Sequence, residues 1–165
     1  MPTEARFDEA LEVLGRHGVD FIVVGGIAAI LQGSPLTTED VDAVYLGADE
    51  NLRRLAAALV ELDATYVDPA GRTIRPDVER LAALRVHLLN TRYGRVDLMR
   101  TVGSELAYEQ LIDRTLSLDI GTMTVRVLEL EAVIETKVQA DRPKDHYQLP
   151  FLKQLLAEIR SRDDG

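Results

Sequence analysis

The sequence contains no cysteine, which excludes disulfide bonds, thiolate catalysis and zinc sites built on thiolates. It also has no apolar run near the roughly 18 residues that a membrane span needs, so we expect no contact with a membrane. The first residues, Met1 to Arg6, lack the basic-then-apolar order of a secretory signal. These absences together favour a cytoplasmic location.

Positive charge is scarce. Lys and Arg number 19 against 28 Asp and Glu, for a formal net charge of −9. A broad nucleic-acid-binding surface is normally basic, so this balance argues against one. The basic residues are unevenly spread, and the stretch after Glu135 contains Lys137, Arg142, Lys144, Lys153, Arg160 and Arg162. A local basic groove therefore stays open as an expectation.

The hydrophobic share of 46% over 165 residues fits one domain with a real core. No repeat or linker divides the chain, so we predict a single domain over 1–165. Its core covers about 19–128, and C-terminal helices cover about 129–162. The order of helical and strand patterns predicts an α/β (α+β) fold in which helices flank a small mixed sheet.

Apolar periodicity predicts the individual elements. The expected strands are 21–24, 41–46, 84–90, 95–100, 116–120 and 123–127. The expected helices are 4–16, 27–32, 50–62, 104–113, 130–140 and 143–162, with Thr3 and Ser104 as caps. Pro69, Gly71 and Pro76 interrupt the pattern, so we expect a long loop over 63–80.

A glycine pair follows the first predicted strand. Phe21 to Val24 is short, apolar and rich in β-branched residues, and it leads into Gly25 and Gly26. Backbone at such a turn approaches a ligand closely, most economically a phosphate. A double glycine after a strand is also a common plain turn, so this signal is weak alone.

Asp40 and Asp42 are two carboxylates at i and i+2 on the next predicted strand, so they share one face. Two bare charges this close repel by about 4 kcal/mol at an effective dielectric near 20. A divalent cation removes that repulsion, and oxygen ligands suit Mg²⁺ or Mn²⁺. The alternative is a pair of solvated residues at a strand edge.

The segment from Val24 through Gly25-Gly26 to Asp40-Val41-Asp42 resembles the signature of the polymerase-beta-like nucleotidyltransferase superfamily. That signature is a hydrophobic residue and a glycine pair, a spacer, and Asp-hydrophobic-Asp. Lys137 followed by Arg142-Pro143-Lys144-Asp145 is similar to the tail of small bacterial abortive-infection (AbiEii-like) toxin nucleotidyltransferases. The resemblance covers roughly 19–150.

The resemblance implies roles for the matching residues. Gly25 and Gly26 would hold a triphosphate, with Thr38 also on the nucleotide side, and Asp40 and Asp42 would bind metal. The third carboxylate of the family is best matched by Asp97, as metal ligand or as base; its rivals are Asp68 and Asp77 in the expected loop.

Lys137, Arg142 and Lys144 would face phosphates by the same resemblance. A plain alternative for Lys137 is a helix-surface pair with Asp141. For Arg142 and Lys144 the alternative is a charge cluster at a helix start.

The expected function is therefore Mg²⁺- or Mn²⁺-dependent transfer of a nucleoside monophosphate from an NTP to a hydroxyl. The acceptor is left open among RNA, protein and a small molecule. A toxin–antitoxin pair is one expected setting, and association with a partner protein or as a homodimer is also left open. Leu36 stands where relatives commonly have Arg. An inactive protein that binds nucleotide or a partner is therefore the alternative, and a phosphohydrolase is a third.

Overall fold

The structure is a computed structural model and describes residues 6–164. The strands in this range are β1 (Phe21–Val24), β2 (Asp40–Tyr45), β3 (Thr65–Tyr66), β4 (Val86–Thr91), β5 (Gly94–Met99), β6 (Thr101–Val102), β7 (Leu106–Ala107), β8 (Thr115–Ile120) and β9 (Met123–Leu128). The helices are α1 (Phe7–Arg16), α2 (Gly25–Leu31), α3 (Asp49–Glu61), α4 (Val78–Ala83), α5 (Tyr108–Leu111), α6 (Leu130–Ala140) and α7 (Pro143–Asp163). No helix in the described range is long and apolar enough to cross a membrane.

Seven strands form one mixed sheet in the order β3-β4-β5-β2-β1-β9-β8. The β2–β5 and β1–β9 pairs are parallel, and the other pairs in this sheet are antiparallel. β6 and β7 form a separate small hairpin. The mixed sheet with flanking helices and a helical C-terminus confirms the predicted fold class.

Helices cover the two faces of the sheet in different ways. Tyr45 points to one face, where its hydroxyl donates to the carbonyl of Leu81 in α4 over 3.0 Å, and this face carries much of the buried core. On the opposite face, α2 packs against β2 and α6, and α6 packs against α7. The second face is left open toward β4, where Val86 and Leu88 are exposed.

The start of the helix predicted over 104–113 is wrong. Gly103 and Glu105 have positive φ angles of 58° and 62°, so the chain turns there and pairs β6 with β7. Ser104 is not a helix cap, because it lies in that turn and its amide donates to Gln139 on α6 over 2.9 Å. Helical structure begins only at Tyr108 and ends in a 3-10 turn, Ile112–Arg114.

The long loop predicted over 63–80 is shorter than expected. β3 pairs with β4 at the edge of the sheet, and α4 begins at Val78. Asp77 caps α4 by accepting a hydrogen bond from the Arg80 amide over 2.8 Å. Residues 1–5, including the predicted Thr3 cap, lie outside the described residues. The other predicted elements agree with the structure to within a few residues at their ends.

Candidate active site

Two of the predicted carboxylates lie side by side on the open face of the sheet. Asp42 on β2 is opposite Asp97 on β5 in a parallel register. The same row continues to Val24 on β1 and to Leu88 on β4. Asp40 precedes Asp42 by two residues and therefore shares its face. The fold thus brings Asp40, Asp42 and Asp97 together from two separate sequence segments.

These carboxylates line a cavity of about 360 Å³ at the carboxyl side of α6. Asp40, Asp42 and Asp97 form its acidic floor, and Lys137, Arg142 and Lys144 stand on the side made by the end of α6 and the start of α7. The cavity therefore combines an acidic floor with a basic rim, which suits a polyphosphate held by cations beside bound metal.

Asp42 is the most perturbed of the three carboxylates. Burial raises its pKa from an ordinary value of 3.8 to about 6, and the neighbouring charges of Asp97 and Asp40 add to the rise. Lys144 and Lys137 act in the opposite direction. Within residues 6–164 the Asp42 carboxylate accepts no hydrogen bond and joins no ion pair. A cation placed here would relieve both the repulsion and the lack of a donor.

Asp97 is turned toward a basic neighbour on its own strand. The Arg95 side chain donates from Nε to Asp97 Oδ1 over 2.8 Å. Burial raises the pKa of Asp97, and Arg95 opposes that rise. Arg95 is two residues before Asp97 and is the register partner of Asp40, so it stands on the same face as all three carboxylates.

Along the described part of the chain, no three acidic or histidine side chains converge closely enough to share one metal ion as they stand. The contact with Arg95 directs the Asp97 carboxylate at a cation within the protein. The donor set itself fits Mg²⁺ or Mn²⁺, because it consists of three carboxylates in one cavity, and the half-buried Asp42 among them accepts no hydrogen bond from the described residues.

Gly25 is required by the backbone next to Asp42. Its φ is +65°, and a Cβ built on it would lie 2.5 Å from Asp42 Oδ2. The residue lines the cavity and opens α2 rather than a separate turn. Gly26 lies one residue further, where a Cβ would meet the Thr38 side chain at 3.4 Å.

Thr38 and Gly26 lie beside the cavity instead of lining it. The Thr38 hydroxyl lies 3.3 Å from the carbonyl of Asp40 and 3.4 Å from its amide, so it holds the start of β2. Gly26 lines a smaller adjoining pocket with Leu36 and Lys137. Contact of Thr38 and of both glycines with a nucleotide stays a prediction.

Lys137 is buried between the two C-terminal helices, with only 6% of its surface exposed. Its Nζ donates to Gln148 Oε1 over 2.8 Å and lies 3.5 Å from Asp145 Oδ1. Burial lowers the pKa of Lys137, while Asp145 opposes the change. The acidic partner is Asp145 and not Asp141, so the expected alternative of a helix-surface pair is wrong.

Arg142 and Lys144 differ in what they contact. Arg142 binds the fully buried Asp145 carboxylate through Nε and Nη2 at 2.8 Å and 3.2 Å, so it is engaged at the start of α7. Lys144 is exposed and forms no ion pair with any residue of 6–164. Lys144 is therefore the cation best placed to meet a phosphate in the cavity.

The two rivals for the third carboxylate lie elsewhere. Asp68 is paired with Arg72 over 2.7 Å, and Asp77 caps α4. Neither lines the cavity that Asp97 lines. Sequence reasoning missed Arg95, although its spacing of two from Asp97 on a strand was enough to place both on one face.

The chain matches the model of the family described as nucleotidyltransferase of unknown function (DUF6036) over residues 5–155. It therefore belongs to this family of nucleotidyltransferases. No curated protein matches it by sequence.

Solved structures share its fold. The lincosamide antibiotic adenylyltransferase LnuA, bound to lincomycin, is 14% identical with a TM-score of 0.61, over 90% of this chain and 95% of that one. ANT(2")-Ia in complex with adenylyl-2"-tobramycin is 16% identical with a TM-score of 0.56, over 94% and 95%. A nucleotidyltransferase from Thermotoga maritima, described as putative, is 16% identical with a TM-score of 0.55, over 92% and 91%.

The family match identifies the chain as a nucleotidyltransferase and therefore as a transferase. The fold shared with the solved nucleotidyltransferases agrees with the resemblance to the polymerase-beta-like superfamily. The more specific resemblance to AbiEii-like toxins has no support among them and stays a prediction.

Proposed function

We propose that this protein transfers a nucleoside monophosphate from an NTP to a hydroxyl group, with Asp40, Asp42 and Asp97 binding Mg²⁺ or Mn²⁺. The main support is the pairing of Asp42 with Asp97 across neighbouring strands, in a cavity whose other side carries Lys144. The arrangement matches the chemistry of an NTP, because bound cations would offset the acidic floor while Lys144 meets phosphate oxygens.

The residues that line the cavity would have different roles in binding the NTP. Lys144 would contact the β- and γ-phosphates of the NTP, and the backbone at Gly25 would lie against them. Lys137 and Arg142 are held by Asp145, so they contribute positive charge from fixed positions. When bound, the divalent cations would neutralise charge on the α-phosphate and on the attacking and leaving oxygens.

The transfer is an in-line displacement. The acceptor hydroxyl oxygen forms a bond to the α-phosphorus, and the bond from this phosphorus to the α,β-bridging oxygen breaks, releasing pyrophosphate. The hydroxyl proton passes to the Asp97 carboxylate or to water. The products are a phosphodiester of the acceptor and pyrophosphate.

Calorimetric titration with ATP, CTP, GTP and UTP, each with and without Mg²⁺, tests nucleotide binding. We expect Mg²⁺-dependent binding of at least one nucleotide and its loss in Asp40→Asn, with the exposed Asp113→Asn as the matched control. A melting-temperature shift checks the heats, since ligand at 100 times Kd adds about 2.7 kcal/mol to stability. Unchanged binding in Asp40→Asn would refute the assignment of the metal site.

The acceptor remains a proposal among RNA, protein and small molecules. The structures with bound lincomycin and with adenylyl-2"-tobramycin favour a small-molecule acceptor, since both proteins share this fold. Pyrophosphate release measured against each class would identify the acceptor. A product consisting only of free nucleoside phosphate would instead indicate a phosphohydrolase.

The second candidate is a protein that binds a nucleotide or a partner without transfer, in a toxin–antitoxin pair or as a homodimer. Leu36 favours it, because this residue packs against the core and lines the small pocket beside Lys137, where relatives commonly have Arg. Nucleotide binding without pyrophosphate release toward any acceptor would support this candidate. Metal-dependent turnover would exclude it.

A further inference from the structure

We propose that the open face of β4 is the acceptor subsite and that it takes a hydroxyl compound with a neutral, apolar ring. This inference rests on the nucleotidyl transfer proposed above and adds the substrate class. The main supporting observation is a pair of apolar side chains, Val86 and Leu88, that are exposed beside the candidate catalytic carboxylates.

Two apolar side chains occupy exposed positions along β4. His87 and Leu89 are fully buried on one face, while Val86 is 56% exposed and Leu88 is 41% exposed on the other. Strands with one face open to water normally place polar residues on that face. Two neighbouring exposed apolar residues in a cavity are instead typical of a binding surface.

The apolar residues are continuous with the carboxylates. Leu88 is the register partner of Asp97, and Val86 is the register partner of Met99. Val86, Leu88, Met99 and Val102 line the same cavity as the acidic floor. A ring seated on Val86 and Leu88 would therefore place its hydroxyl groups next to Asp97.

The distribution of charge assigns the two sides of the cavity. Lys137 lies on α6, Lys144 lies on α7 and Arg142 lies between the two helices, so none of the three is on β4. The triphosphate belongs on that side, because its negative charge requires cations. The acceptor would then occupy the β4 side, and Asp97 would lie between the acceptor and the triphosphate.

The same distribution indicates a neutral acceptor. The cavity lining contains no acidic residue other than Asp40, Asp42 and Asp97, and metal ions would engage these three. No carboxylate is then left there to pair with the ammonium groups of a polycation. A nucleic acid would need cations on the β4 side of the cavity, but among the described residues the only basic ones in the cavity lining are Lys137, Arg142 and Lys144.

Three sugars serve as probes in the presence of Mg²⁺ and a non-hydrolysable α,β-methylene NTP. They are 4-nitrophenyl β-D-glucopyranoside, methyl β-D-glucopyranoside and the cationic glucosamine trimer. Affinities come from calorimetry, and contacts come from the methyl NMR signals of Val86, Leu88 and Met99. We expect the aryl glucoside to bind about tenfold more tightly than the methyl glucoside, because its ring covers apolar surface. It alone should shift the Val86 and Leu88 signals.

Val86→Ser and Leu88→Ser test the surface directly. Both side chains are exposed, so we expect these variants to fold. Each should remove most of the advantage of the aryl glucoside and leave binding of the Mg²⁺–nucleotide complex unchanged. Val60→Ser is the matched control, because Val60 is 76% exposed on α3 and does not line the cavity.

The possible outcomes distinguish failure of the acceptor proposal from failure of the proposed nucleotidyl transfer. Equal binding of the two glucosides, tightest binding of the cationic trimer, or no sugar binding while the nucleotide still binds would overturn the acceptor class alone. Absence of Mg²⁺-dependent nucleotide binding would overturn the proposed function as well.

Discussion

Asp42 and Asp97 are direct neighbours across the parallel pair β2–β5, and the carboxylate of Asp42 lies against the backbone of Gly25. The three residues come from different elements, so the site exists only in the folded chain. The closeness of the Asp42 and Asp97 carboxylates produces electrostatic repulsion in the metal-free protein.

Asp42→Asn should stabilise the metal-free protein at neutral pH. The pKa of Asp42 is about 6 in the fold against 3.8 ordinarily, so the folded state binds this proton more tightly than the unfolded chain. Its ionised form therefore destabilises the fold above pH 6, and this destabilisation fades as the pH falls toward 4. We expect urea unfolding in EDTA to show a gain of about 1–3 kcal/mol at pH 7.5, after allowing for partial exposure.

At pH 4.5 the difference between Asp42→Asn and the wild type should fall to about a third of its value at pH 7.5, because the folded carboxylate is then neutral while the unfolded chain, with a pKa of 3.8, is still largely ionised. Asp113→Asn, at an exposed position, is the matched control for replacing an Asp by Asn. A gain that is the same at both pH values would show that the effect is not due to ionisation of Asp42.

Arg95→Ala should tighten Mg²⁺ binding. The substitution releases Asp97 from its 2.8 Å contact and removes a positive charge from the floor of the site, and both changes favour a divalent cation. We expect the Mg²⁺ affinity, measured by calorimetry, to rise about two- to fivefold, the range for a partly exposed ion pair.

Arg92→Ala is the matched control for charge, because Arg92 is exposed in the turn before β5 and loses the same charge without touching Asp97. An equal rise in both variants would mean that net charge, and not the Arg95–Asp97 contact, sets the metal affinity.

Gly25→Ala should be destabilising, whereas Gly26→Ala should be tolerated. At Gly25 the left-handed backbone alone costs an alanine about 1–2 kcal/mol, and the new Cβ would also displace the Asp42 carboxylate. At Gly26 the Cβ only touches Thr38 at van der Waals distance, and alanine favours helix by up to about 1 kcal/mol. Thermal unfolding and Mg²⁺ titration of both variants measure this contrast; equal behaviour would contradict it.

Asp145→Ala and Lys144→Ala should separate stability from binding. Asp145 is fully buried and holds both Lys137 and Arg142, so its loss leaves a buried ammonium without its carboxylate and should cost about 3–5 kcal/mol in urea unfolding. Lys144 is exposed, so its replacement should barely change stability but should weaken NTP binding in calorimetry. A stable Asp145→Ala variant would show that the buried pair does not hold α6 to α7.

Much of the site was predictable because it depends on local rules. The period of two along a strand places Asp40 and Asp42 on one face, and the same rule relates Arg95 to Asp97. The local pattern also predicts α6 and the proline-started α7 at their observed bounds, within a few residues.

Other features could not be predicted from the local sequence, because contacts with residues distant in the chain determine them. The hairpin β6–β7 replaces a predicted helix, since positive φ angles at Gly103 and Glu105 reverse the chain and Gln139 on α6 binds the turn. The alternative interpretation of Lys137 as a helix-surface partner of Asp141 fails, because α7 covers Lys137 and supplies Asp145 and Gln148 as its partners. Local secondary-structure propensity predicts neither the contact of Gln139 with the turn nor the contacts of Lys137 with α7.

The sequence by itself determined which chemistry is possible: carboxylates on strands, a glycine pair after the first strand and basic residues near the C-terminus. The tertiary structure decided which of these meet. Pairing of β2 with β5 selects Asp97 over Asp68 and Asp77, and the register puts Leu88 beside it. The physical reason is that strand pairing joins segments far apart in the chain, so its register depends on burial across the whole sheet and not on local sequence.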